Sequence, residues 1–263
     1  MALFDRTGGK LAAGPTLLLP ADPGSALLDA ARLYDPQLRH WHGRLVFGNG
    51  VLLFGPVEVT AKLAQQAGLP AGVAVAWYAS AALQQHRGRR TDAAKRADGE
   101  LLVLGLAGRL GGTLHPGPPL QRPALLASVY SEQPVPANEV VGVLRPYAGD
   151  VAIEDAKEDA KEDAKEDSYA ISGKHASFYT AYWPPRRHVV ASEPPALGPL
   201  GRRPLHRWDL NTGMRPSDTR RELQLKVAEA ALALAARAEG VAIDMFGFRF
   251  VTPQELLSAG ERA

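Results

Sequence analysis

Arg44-Leu45-Val46-Phe47, Gly48-Asn49-Gly50 and Val51-Leu52-Leu53-Phe54 form the stretch from which the fold can be read. Two short runs rich in Leu, Val and Phe flank an Asn-Gly pair. Both turn residues tolerate positive φ, so 44–54 predicts a β-hairpin and antiparallel sheet. Upstream, Thr16-Leu17-Leu18-Leu19 closed by Pro20 reads as a strand. Residues 26–34 read as a short helix capped by Ser25 and stopped by Asp35-Pro36. Downstream, 57–66 predicts a helix and 73–78 a strand. Asp98 is placed to cap a longer helix that reaches Leu110 and ends at Gly111-Gly112. Residues 1–15 read as a loose tail.

A proline-rich stretch, 115–123, interrupts this succession, since proline runs neither continue a helix nor fit a central strand. The order then restarts: a strand at 125–130, a helix at 136–147, hairpin arms at 151–153 and 169–172, and an aromatic strand at 178–183. A long helix at 218–239 carries Leu223, Val227, Ala230 and Leu234 in one stripe, with Leu225 and Leu232 nearly opposite, so it buries more than one side. A strand pair at 241–243 and 246–251 closes the chain, followed by a helical turn from Pro253. The expected class is α+β, with antiparallel sheets covered by helices on one face. The shared order suggests a duplicated unit resembling the ferredoxin-like arrangement. The expected division is a tail at 1–15, subdomains at 16–114 and 124–263, and a linker at 115–123.

Composition bounds the function. A chain of 263 residues with 46% apolar and 22% charged residues is that of a globular protein. No stretch approaches the run of about 18 apolar residues that crosses a bilayer, and 1–14 lacks a signal-peptide pattern. With Cys 0, disulfides, thiolate metal sites and cysteine nucleophiles are excluded. The expectation is a cytoplasmic protein with no cofactor and no membrane partner. The net charge of +2 conceals a division: eight acids and three lysines in the Glu-Asp-Ala-Lys repeats at 154–167 carry −5, leaving +7 on the rest. Those repeats place like charges at every i,i+4 spacing, so 154–167 reads as a solvated insert at a hairpin tip.

Three kinds of residue set offer chemistry. His40-Trp41-His42 puts two imidazoles on one face if it is a strand, a weak start for a metal site beside the commoner reading of edge histidines. His206 and Asp209, with Tyr182 and the region 182–188, offer a base, a carboxylate and a hydroxyl for proton transfer. No nucleophile turn of the Gly-x-Ser-x-Gly type accompanies them. Arg87, Arg89 and Arg90, Arg186 and Arg187 after Tyr182-Trp183, and Arg202 and Arg203 before Trp208 join cations to rings. They are candidates for a nucleic-acid or protein partner. The expectation is a non-catalytic binding or protein-interaction protein, partnered by another protein or by itself. The alternatives are an unfamiliar enzyme centred on His206 and Asp209, and a nucleic-acid-binding protein.

Overall fold

A computed structural model describes residues 2–81, 92–116, 125–155, 169–173, 179–185, 194–212 and 221–260. The chain is α+β and divides into two compact units, Met1–Leu120 with Ser258–Ala263, and Gln121–Leu257. No helix among the described residues is long and apolar enough to cross a membrane.

The first unit contains α1 (Ala2–Ala13), β1 (Thr16–Leu19), α2 (Ser25–Tyr34), β2 (Arg39–Trp41), β3 (Arg44–Val46), β4 (Val51–Glu58), α3 (Ala61–Ala67), β5 (Val75–Ala81), α4 (Asp92–Leu110) and β6 (Thr113–His115). Its six strands lie in the order β2-β3-β4-β5-β1-β6, every neighbour antiparallel. The expected hairpin is β3–β4, with Leu45 opposite Leu53. Within its loop only Gly50 has positive φ, at 84°, with Gly50 N–H donating to Phe47 O at 2.9 Å. That is a three-residue loop ending in a left-handed glycine, not a two-residue turn with both residues at positive φ. The buried Asp35 carboxylate selects it by accepting from Gly48 N at 2.6 Å and Gln37 N at 2.8 Å.

Further expectations for this unit need correction. The loose tail is helix α1, because Leu11 is fully buried with Leu18, Leu63 and Ala76. Tertiary burial there outweighs the poor propensity of Gly8 and Gly9. The helix expected at 57–66 begins later: β4 runs to Glu58, and Thr60 caps α3 by accepting from Leu63 N at 3.2 Å. Asp98 lies inside α4, not at its start, since 92–97 holds alanines and long cations that favour helix.

The second unit contains β7 (Leu125–Ser131), α5 (Ala137–Ala148), β8 (Val151–Asp155), β9 (Tyr169–Gly173), β10 (Tyr179–Trp183), a 3-10 segment (Pro195–Arg202), β11 (His206–Asn211), α6 (Arg221–Arg237), β12 (Val241–Asp244) and α7 (Pro253–Gly260) as far as Leu257. Its antiparallel order is β12-β7-β11-β10-β9-β8. Of the expected closing strand pair, 241–243 is β12 and 246–251 contributes a single bridge, Ile243 with Arg249.

Numbered within each unit and read from the same edge, both sheets have the same order: second, third, fourth, fifth, first, sixth. Register agrees at particular residues. Trp77 lies opposite Leu17 and Trp208 opposite Val129, each in the fifth strand beside the first. Gly112 precedes Thr113, which pairs with Leu18; Gly240 precedes Val241, which pairs with Tyr130. At both glycines an added Cβ would collide with the carbonyl oxygen of that first-strand residue, Leu18 or Tyr130. Glycine lets the long helix turn tightly into the last strand.

Among the described residues four strands separate the two main helices of each unit, where the ferredoxin-like arrangement has two, so that arrangement is not what these elements make. Helices on one face also fails for the first unit. Leu18, Ala76 and Tyr78 pack with Leu11 of α1 and with Leu63 and Ala67 of α3. The alternate residues Leu17, Leu19 and Ala79 face α4, whose Gly99 and following Gly112 approach them. A strand buried on both faces reads as an unbroken apolar run, which is why Thr16–Leu19 shows no alternation. In the second unit α5 and α6 cover one face through Val140, Leu144, Val227 and Leu234. The 3-10 segment covers part of the other, placing Ala196 and Leu197 on Tyr130 and Ile243.

Candidate functional site

Period-two alternation in β11 decides where the expected reactive residues go. His206, Trp208 and Leu210 face the helices; Arg207 and Asp209 face the opposite way. On the helix side, the Tyr182 hydroxyl and His206 Nδ1 are 2.7 Å apart. The Tyr182 ring stacks on Tyr169 at 4.6 Å and on His206 at 5.9 Å. Trp208 Nε1 donates to the Tyr169 hydroxyl at 3.2 Å. Burial pushes the His206 imidazole down from its ordinary range, so the ring is neutral near pH 7. Burial raises the Tyr169 hydroxyl, partly offset by the Trp208 hydrogen bond. Trp208, expected at a partner surface, is fully buried and serves the core.

On the other face, Asp209 joins three neighbouring strands. Its Oδ1 accepts from Ser128 Oγ of β7 at 2.6 Å and from Arg207 Nε at 2.6 Å. Its Oδ2 accepts from Trp183 Nε1 of β10 at 3.0 Å. This carboxylate is engaged as a clamp, and the sheet stands between it and His206. The structure brings His206 to Tyr182 and leaves Asp209 on the other side.

The remaining candidates scatter. Arg87, Arg89, Arg90, Arg186 and Arg187 lie outside the described residues, as do 117–123 of the expected linker and 156–167 of the insert. Arg202 is exposed at the end of the 3-10 segment. Arg203 is paired with Glu132 at 2.6 Å, which neutralises it. His40 ends up on the exposed edge strand β2, and His42 leaves the strand at φ 46° in the following turn. The two histidines therefore do not share a strand face, which corrects that expectation. Among the described residues no three His, Asp or Glu gather in a metal-binding group.

A different surface emerges in the first unit. Cross-strand pairing aligns Trp41, Arg44, Phe54 and Tyr78 in one row on a single face of β2–β5. The next row on that face, about 7 Å along, is Arg39, Val46, Leu52 and Ser80. Burial alternates as this geometry requires. Leu45, Leu53 and Ala79 on the reverse side are buried, whereas Arg44, Phe54 and Tyr78 are intermediate and Trp41 is 56% exposed. The Arg44 guanidinium lies 4.2 Å from the Trp41 ring and 5.8 Å from that of Phe54. Phe54 and Tyr78 stack at 5.1 Å, and Lys10 of α1 caps Tyr78 at 5.7 Å. Among the described residues none of Lys10, Arg39 and Arg44 is paired with a carboxylate.

No family model, curated protein or solved structure matches this chain. The surface must be judged on its own chemistry. It is hard to find in the sequence because the row draws one residue from each of four strands. The alternations Arg39-x-Trp41, Arg44-x-Val46 and Leu52-x-Phe54 are its only local signal, and register is needed to align them.

Proposed function

We propose that the protein is a non-catalytic binding protein that takes its partner on the face of β2–β5 that α1 and α3 leave partly uncovered. The observation that carries this is the row Trp41–Arg44–Phe54–Tyr78. There the rings and a cation with no carboxylate partner among the described residues stand partly exposed on a sheet whose reverse side is packed. Large rings left partly in water and ordered by stacking are a binding surface already organised before a partner arrives. Supporting this over an enzyme, His206 and Asp209 are held on opposite faces and engaged by structural partners. We also propose that the two units arose by duplication. The common strand order, the tryptophans at 77 and 208, and the crowded glycines at 112 and 240 support it.

The test compares the wild-type chain with a Trp41→Ala/Arg44→Ala variant, each immobilised in a native lysate. The wild type is expected to retain a stoichiometric partner that the variant loses. His206→Gln and Asp209→Asn variants are expected to retain it. Equal retention by wild type and the Trp41/Arg44 variant would overturn the assignment to this face.

A further inference from the structure

We infer that this partly uncovered face of β2–β5 binds single-stranded nucleic acid, an inference that rests on the binding role proposed above and names its partner. The ligand must suit two features at once. Trp41 is largely exposed beside the half-buried Phe54–Tyr78 stack, and Lys10, Arg39 and Arg44 present charge with no carboxylate to neutralise it among the described residues. The two rows contain no acidic residue: Trp41, Arg44, Phe54 and Tyr78 in one, Arg39, Val46, Leu52 and Ser80 in the other. A polymer alternating planar rings with anionic groups meets both demands, because unpaired bases stack on aromatic side chains while phosphates take the cations. Acidic protein would use the cations and leave the rings idle. A duplex hides its base faces, so it would likewise use only the charge.

Spacing supports this partner. Trp41 and Phe54 sit two strands apart, about 10 Å, with the Arg44 guanidinium between them. A base laid on the exposed Trp41 ring thus leaves its phosphate within reach of Arg44 or of Arg39 in the adjoining row. Arg44 is held in advance by its ring contacts, and its Nε is buried without a hydrogen-bond partner. Little side-chain freedom is then lost when an anion arrives. Lys10, over Tyr78, extends the cationic track toward α1.

The experiment is a fluorescence-anisotropy titration of the full chain into a labelled oligothymidylate of about fifteen nucleotides at low salt, with Trp emission followed in parallel. Saturable binding with quenching is expected. Trp41→Ala should weaken it about tenfold or more, and Trp41→Phe should restore most of it. Arg39→Ala/Arg44→Ala should weaken it and reduce the salt slope by about 0.7 for each phosphate that no longer meets a cation. An unchanged melting curve checks that each variant folds. Absence of binding, equal affinity for a duplex of the same length, or indifference to Trp41→Ala would each overturn the inference. If the oligonucleotide fails but the Trp41/Arg44 variant still loses its partner from lysate, the nucleic-acid assignment falls and the binding role stands. If that variant changes neither measurement, both fall.

Discussion

Replacing Gly112 by alanine tests the close approach on which the first sheet's closure depends. The new Cβ would lie 2.5 Å from Leu18 O, 2.7 Å from Leu19 Cδ2 and 3.1 Å from Leu17 Cδ1. The leucine side chains can rotate away, but the carbonyl belongs to the interior strand β1, whose four residues are all buried. Relief therefore requires β6 to retreat by about 1 Å, enough to bring the pair back to ordinary van der Waals separation. Its short ladder to β1, Thr113 to His115, would stretch by the same amount. Losing two ladder hydrogen bonds at about 1 kcal/mol each, with residual overpacking of about 1 kcal/mol, gives about 3 kcal/mol. For a unit of this size that is about 10 °C in melting temperature. Gly9→Ala is the control in the same unit. It lies in α1 with nothing within 4 Å of its would-be Cβ, and alanine there should stabilise by up to about 1 kcal/mol through helix propensity. Scanning calorimetry of the full chain measures both. Gly240→Ala should lower the transition of the second unit by a similar amount, through Tyr130 O. A Gly112→Ala protein that melts with the wild type would refute the close approach of β6 to β1.

Four further outcomes are expected. Asp35→Ala removes the buried acceptor of Gln37 N and Gly48 N; it should cost about 3 kcal/mol, read from urea unfolding of the first unit, and a cost near zero would show that the loop is not held there. Burial sets the folded pKa of His206 below its ordinary 6.5, so the unfolded chain takes up the proton first. The contribution is fully present above about pH 6.5 and is lost as pH falls toward the folded value. Urea midpoints between about pH 8 and pH 5 should fall more steeply for wild type than for His206→Gln, and parallel profiles would count against it. Asp209→Asn weakens the clamp to Ser128, Arg207 and Trp183 and should destabilise the second unit by about 1–3 kcal/mol, without affecting retention on the β2–β5 face. Deleting residues 156–163 should leave calorimetry of the second unit unchanged; a large fall in its melting temperature would show that the repeat packs.

Local chemistry is enough for several elements. The Gly48-Asn49-Gly50 turn announces β3–β4, Gly111 and Gly240 mark the ends of α4 and α6, and the stripe through Val227 and Leu234 announces a buried helix. Each is written within a few consecutive residues, because turns, caps and helical faces depend on neighbours in the chain. Helix α1 is not legible in this way, since Gly8 and Gly9 favour a loop and only burial of Leu11 tips the balance. Likewise the unbroken apolar run of the four-residue strand β1 does not say which helices cover its two faces.

Sequence by itself therefore determined the class of the protein, α+β with antiparallel strands, the absence of thiol chemistry, and most helices and hairpins. Tertiary structure alone decided which side chains share a face. It separated His206 from Asp209, sent Trp208 into the core, and lined up Trp41, Arg44, Phe54 and Tyr78 from four strands. The physical reason is that a strand shows each face only every second residue, while the partner across the ladder is set by register. Register is fixed by turns and by burial far along the chain, so a surface assembled across strands has no contiguous trace in the sequence.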